Sequence, residues 1–204
     1  MKASYNWIKD YVATDLPAEK AADKLTMAGL EVQGLESFGH DSAFEVEITS
    51  NRPDWLSHIG IAREISAIIG SRITYPTITP FSVSSGSPSF TVSIEDTELC
   101  PFYSGILLRD VTCGPTPSFI RDRLECVGIR SINLAVDLTN YILLEYGQPL
   151  HAFDFDTVGE SIRIRRAFDK ETFTAINEKE YGLSADDLVI SDEEPEIEVE
   201  SEET

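Results

Sequence analysis

Apolar positions in the first 75 residues recur mostly at helical spacing. Asp15-Leu16-Pro17 marks a helix start, because proline is tolerated in a first turn. Ala21, Leu25 and Ala28 follow on one face, and Gly29 suits the position just past the helix end. Phe44-Glu45-Val46-Glu47-Ile48 alternates instead, which predicts a strand with one buried face. Asn51-Arg52-Pro53-Asp54 reads as a turn whose short polar side chains can bond the local backbone. A second helix after it puts Ile61, Ile65, Ile68 and Ile69 on the buried side and stops at Gly70.

Residues 76–89 are rich in proline and serine and read as a linker. Strand patterns then appear at 90–94 and 102–109. Pro115-Thr116-Pro117 opens a helix carrying Ile120, Leu124 and Val127 on one face, ended by Gly128. A further helix spans Ile132 to Tyr146, alternation returns in Ser161–Arg166, and shorter strands run to about Ile190. The pattern predicts an α+β protein. Residues 1–75 form a small helical domain with one or two strands, and residues 90–191 an incomplete α+β domain with Leu124 and Leu138 in its core. Residues 192–204 hold eight acids and no base, so disorder is expected there, with Ile197 and Val199 on one side of an edge strand at 196–200 as the alternative.

Composition adds an ordinary globular profile, 42% hydrophobic and 25% charged. No apolar run approaches the ~20 residues of a membrane span. The first residues carry no secretory signal, so a cytoplasmic location is expected and no membrane partner. The formal net charge is −20, and removing the eight tail acids leaves −12. Binding to nucleic acid draws on Lys and Arg at phosphates, so this chain should bind RNA poorly unless a partner brings positive charge. Cys100, Cys113 and Cys126 fit neither a zinc site nor a disulfide framework and are expected as buried thiols.

Candidate chemistry gathers around the helix from Ile132. It is apolar nearly all round and so expected to be buried, except that Asn133, Asp137 and Asn140 form one polar stripe. Such a stripe either satisfies itself in a network that holds neighbouring loops or lines a wet cavity. Past the helix, Gly147-Gln148-Pro149-Leu150-His151 makes a sharp exit, and loop residues such as His151 carry function more often than core residues do. The plainer reading has His151 bonded to a backbone carbonyl or to Asp154. His40, His58 and His151 are too far apart in sequence for a metal site, and no phosphate-cradling loop is present. Arg163, Arg165 and Arg166 form the only basic cluster and are expected as solvated partners of the excess acid.

Taken together the motifs resemble a family. The start Met1-Lys2-Ala3-Ser4-Tyr5-Asn6-Trp7, the run Glu45-Val46-Glu47-Ile48-Thr49-Ser50-Asn51-Arg52-Pro53-Asp54 and Gly60-Ile61-Ala62-Arg63-Glu64 are similar to the beginning of bacterial phenylalanyl-tRNA synthetase beta subunits. So are Val136-Asp137-Leu138-Thr139-Asn140-Tyr141, Gly147-Gln148-Pro149-Leu150-His151-Ala152-Phe153-Asp154 and Asp186-Asp187-Leu188-Val189-Ile190.

That resemblance implies an alpha-subunit partner that performs aminoacylation, phenylalanine tRNA as a partner of the complete enzyme, and a second domain of the editing type. Phe and Tyr differ by one hydroxyl, which an apolar pocket rejects weakly, so a second hydrolytic site that removes mischarged tyrosine is needed. The family's editing histidine falls on His151, and Asn133, Asp137 and Asn140 become candidates for the substrate pocket. No cofactor is implied for this segment, while ATP and magnesium belong to the complete enzyme. The common bacterial form inserts an oligonucleotide-binding fold where only Gly34–Ala43 stands here, and its later domains do not appear. Its editing domain also continues past Ile190 into a Gly-rich segment that this sequence lacks. The expected pocket is therefore half built and the isolated chain inactive, and a non-catalytic interaction module is the alternative function.

Overall fold

The computed structural model describes residues 1–80, 82, 90–175 and 178–192. Most of the expected linker and nearly all of the acidic tail lie outside the described residues. The protein is a mixed α+β structure. It divides into two compact units, Met1–Pro80 with Thr112–Ala152, and Phe81–Val111 with Phe153–Thr204.

The first unit is built on a sheet as well as helices. Strands β1 (Lys2–Ser4), β2 (Val32–Phe38) and β3 (Asp41–Val46) pair antiparallel in the order β1-β3-β2. Only part of β3 was legible as a strand. β2 hides from sequence reading because most of its residues are exposed and a register shift falls between Val32 and Gly34. Ser4 ends β1 and caps α1 (Tyr5–Lys9), its hydroxyl accepting from the Trp7 N–H at 3.0 Å.

The expected helices form as α2 (Ala18–Met27) and α3 (His58–Ile69), with Gly70 left-handed at the α3 end. Ser57 caps α3 through the Gly60 N–H at 2.9 Å. A 3-10 turn at Pro53–Trp55 precedes it and lies so close that a Cβ on residue 60 would sit 1.8 Å from the Asp54 carbonyl oxygen. Only glycine fits there.

Helices α4 (Ser118–Cys126) and α5 (Leu134–Tyr146) also cluster with this first compact unit. Ile120, Leu124 and Val127 are buried as the spacing predicts, but they are buried here. Leu138, expected in a core, is 41% exposed. Trp7 is the hub of the core: its ring stacks on His58 at 3.9 Å and on Tyr141 of α5 at 4.4 Å.

In the second unit β4 (Thr91–Ile94) lies parallel to β5 (Ser161–Arg166), which pairs antiparallel with β8 (Leu188–Ser191). A short helix α6 (Phe155–Val158) precedes β5, and β6 (Thr172–Thr174) and β7 (Glu180–Gly182) form a separate hairpin. Residues 102–109 are not a strand. They alternate, with Gly105 tight against Phe90 and Val92 and with Phe102, Ile106 and Leu108 exposed, yet no described segment pairs with them. Alternation provides two faces; a ladder needs a neighbour as well.

The arginine cluster is paired, as expected, but not uniformly solvated. Arg163 meets Glu95 at 2.5 Å and Arg166 meets Asp96 at 2.6 Å, while Arg165 is 4% exposed and makes a two-pronged contact with Glu171 at 2.8 and 2.9 Å. The cysteines also differ from expectation: Cys126 is buried, Cys100 intermediate and Cys113 exposed. Among the described residues no helix is long and apolar enough to cross a membrane.

Candidate functional site

The sequence candidates all lie on α5 and the loop behind it, so the way α5 is held decides what they can do. A helix so rich in Leu, Ile and Tyr was expected to be buried all round. Instead it buries one face and displays the other. Asp137 and Glu145 are its buried residues, and Tyr141 and Leu144 pack on the core from the same side. Leu138, Leu143 and Tyr146 are exposed.

Charged groups are tolerated on the inner face because each accepts hydrogen bonds there. The Asp137 carboxylate accepts from the Thr116 and Ser131 hydroxyls at 2.5 Å each and from the Ile132 N–H at 2.9 Å. Burial pushes its pKa up, but these donors outweigh burial and hold it below the usual carboxylate range. Asp137 therefore stays ionised and pins the two loops that lead into α4 and α5. At the other end Tyr11 donates to Glu145 and accepts from the Trp7 indole N–H at 2.7 Å. Burial, then the Glu145 carboxylate, raises the Tyr11 pKa. Arg123 of α4 donates to the Tyr141 hydroxyl at 2.6 Å and pairs with Asp10.

His58 completes this attachment. Its Nε2 accepts from the Ser4 N–H at 3.0 Å, so its Nδ1 carries the proton and donates to the Leu144 carbonyl at 2.8 Å. Burial lowers its pKa to about 4. The imidazole is neutral and ties β1, α3 and α5 together. Sequence reading passed over His58, Tyr11 and Glu145, since nothing local shows that residues 58, 11 and 145 meet. The one available signal was the i, i+4 spacing of Trp7 and Tyr11.

Against that frame the four candidates separate. Asn133 is the N-cap of α5 and accepts from the Val136 N–H at 3.0 Å. Asp137 is committed to its loop network, the first of the two readings weighed for the stripe. These two sit at the opening of a 13-residue helix, Asn133 about 20 Å and Asp137 about 14 Å from its far end. Asn140 is partly buried in mid-helix, and His151 is exposed on the loop beyond the far end.

Gly147 makes that exit possible: it is left-handed at φ 79, and a Cβ there would lie 3.3 Å from the Leu56 carbonyl oxygen. An exposed imidazole past a rigid helix can orient a water or polarise an ester. A groove of about 670 Å³ lies elsewhere, between the α2 side around Leu16 and Lys24 and the end of α3 at Ile69, and none of the four candidates lines it. Among the described residues no cluster of three or more His, Cys, Asp or Glu is placed to hold a metal.

Comparison with known proteins covers nearly the whole chain. The family model described as the B3/4 domain matches residues 99–200. The phenylalanine–tRNA ligase beta subunit of Rhodopirellula baltica is 40% identical over 194 residues, 94% of this chain and 28% of that protein. That of Geobacter sulfurreducens is 50% identical over 156 residues, 74% of this chain and 19% of that protein. The chain thus spans under a third of the curated relatives it matches. Among solved structures, an N-terminal fragment of the phenylalanyl-tRNA synthetase beta subunit from Pyrococcus horikoshii aligns over 90% of this chain and 50% of its own, with 20% identity and a TM-score of 0.42, too slight a likeness to bear on fold or function. With half its length matched by the family model, the chain belongs to the B3/4 domain family, and along nearly all of its length it is similar to phenylalanine–tRNA ligase beta subunits.

Proposed function

We propose that this chain is the amino-terminal part of a phenylalanine–tRNA ligase beta subunit and serves phenylalanine–tRNA ligation together with an alpha subunit. The observation that carries this is the 40% identity sustained over 194 residues, which spans both structural units. In the complete enzyme the partners are the alpha subunit and phenylalanine tRNA, the setting is the cytoplasm, and ATP and magnesium act elsewhere in the assembly. The strongly negative charge fits this division of labour, because phosphate contacts must come from other parts.

The finer role is hydrolytic editing of tyrosyl-tRNA(Phe). His151 is the proposed editing residue, orienting the ester or the attacking water, with Asn140 on the adjoining helix facing the substrate. Asn133 and Asp137 support this pocket indirectly, by starting α5 and fixing the loops before it. The exposure of His151 and its placement behind a doubly constrained glycine support the reading.

The test is a chimaera in which residues 1–191 of this chain replace the matching segment of a complete beta subunit. Co-expressed with its alpha subunit, it is expected to assemble and to charge tRNA with phenylalanine. A chimaera that folds, by circular dichroism, yet neither assembles nor charges would contradict the assignment. The exposed apolar face of α5 supports a non-catalytic interaction role as the second reading, and a chimaera that assembles and charges but shows no editing would favour it.

A further inference from the structure

The far end of α5 is stopped by two agents, one local and one distant. Gly147 turns left-handed, and its N–H donates to the Leu143 carbonyl at 2.8 Å. A stop of this kind satisfies one of the last helix carbonyls and leaves its neighbours to other donors. The Leu144 carbonyl finds its donor 86 residues away in sequence, at Nδ1 of His58, 2.8 Å distant.

His58 is built as a fixed point. It opens α3, is fully buried, and stacks its ring on Trp7. Its Nε2 accepts from the Ser4 N–H at 3.0 Å, which fixes the tautomer and directs the Nδ1 proton at Leu144. An apolar ring in the same place could still stack on Trp7, but the Leu144 carbonyl would lose its donor. What the imidazole adds is direction at the helix end. The same segment meets that end a second time, since the Leu56 carbonyl oxygen lies 3.3 Å from where a Cβ on Gly147 would be.

Donor and close approach together define the point at which the chain leaves α5. His151 follows Gly147 by four residues, within about 14 Å of extended chain, and Pro149 between them narrows the available paths. We propose that His58 is a positioning residue for the His151 loop, capping α5 so that the loop keeps one starting point and one heading. The inference rests on the editing role proposed for His151 and gives that site a buried support. A displacement of ~1 Å at a reacting group can cost about 10²-fold in rate, so a loosened helix end would be felt at His151.

Two substitutions divide the hydrogen bonds of the ring. Asparagine places its amide N–H near the Nδ1 position and keeps a donor for Leu144. Glutamine places its carbonyl near the Nε2 position and keeps an acceptor for Ser4. Each loses one buried hydrogen bond, so a purely structural role predicts similar effects from the two. Deacylation of tyrosyl-tRNA(Phe) is measured in the complete chimaeric enzyme, at a temperature where melting curves show every variant folded. The expected result is a kcat lowered about tenfold or more by His58→Gln, with KM and phenylalanine charging unchanged, and a His58→Asn enzyme close to the parent. Equal losses in the two variants, or a loss of charging alongside editing, would overturn the proposal. So would normal editing by His58→Gln in an enzyme that His151→Ala slows, a result that leaves the editing reading itself in place. Full editing by the His151→Ala enzyme removes that reading and the positioning role with it.

Discussion

In the first unit sixteen buried residues form one apolar cluster with Trp7 at its hub. In the described part of the second unit the buried residues are Ile162, Ile164, Arg165 and Ala167, and the sheet is bordered by ion pairs to Glu95, Asp96 and Glu171. The two units therefore rest on different forces. A cluster of large apolar side chains loses stability in steps set by volume and cavity. Ion pairs at a thin, exposed sheet add little each and weaken with salt. The candidate editing loop follows α5, which is fastened within the first unit to Trp7, His58 and Tyr11. A site that must hold one geometry gains from that attachment.

The comparison breaks most visibly at Trp7. Trp7→Ala removes two stacking contacts and the indole hydrogen bond to Tyr11, so a loss of ~3–5 kcal/mol in urea unfolding is expected. A loss below ~1 kcal/mol would mean that Trp7 is not the hub.

Acid should separate the units by pH window. His58 titrates near 4 when folded against 6.5 when unfolded, so the unfolded chain binds the proton first. Stability from this group is complete above pH 6.5 and declines as pH falls towards 4, by about 3 kcal/mol. In the second unit Leu99 N–H and Arg166 lower the Asp96 pKa, and Arg165 lowers that of Glu171. Those contributions fade only on further acidification, below the ordinary carboxylate values. Melting curves between pH 7 and 4 check this: a His58→Gln chain should be less stable at pH 7 but nearly flat across the window. An equally steep slope without His58 would contradict it.

Gly60→Ala sharpens the packing argument. Alanine in a helix is normally worth about 1 kcal/mol over glycine. Here its methyl meets the Asp54 carbonyl, so a net loss of ~1–3 kcal/mol is expected instead. The smallest effect belongs to Leu138→Ala, within ~0.5 kcal/mol because the side chain is 41% exposed, whereas Leu124→Ala at full burial should cost ~2–5 kcal/mol. Equal losses for the two leucines would show the outer face of α5 to be packed.

These contrasts also mark where sequence reading works. α2 and α4 were legible because a single apolar face, a proline opening and a glycine stop agree locally, and α3 because its apolar face and glycine stop do. The outward face of α5 was not, since its apolar composition argues for burial, while the inner face is chosen by the distant partners of Asp137, Tyr141 and Glu145. The return of residues 112–152 to the first unit is equally invisible to composition, because the Pro- and Ser-rich stretch before it looks like a domain boundary. Residues 102–109 show the reverse failure: the alternation is real, but no described neighbour completes a ladder. At the candidate site His151 was singled out from its loop setting, while the hydrogen bonds of Asn133 and Asp137 needed their partners to be seen.

On the proposed reading, α5, anchored in the first unit, presents His151 as an editing residue. Its direct test is deacylation of tyrosyl-tRNA(Phe) by the complete two-subunit enzyme carrying His151→Ala in the chimaeric beta chain. The account predicts hydrolysis slowed by ~10²–10⁴-fold, the usual size of an acid–base or water-positioning contribution, with phenylalanine charging unchanged. Full editing by the His151→Ala enzyme, or an equal loss of editing and charging, would contradict it.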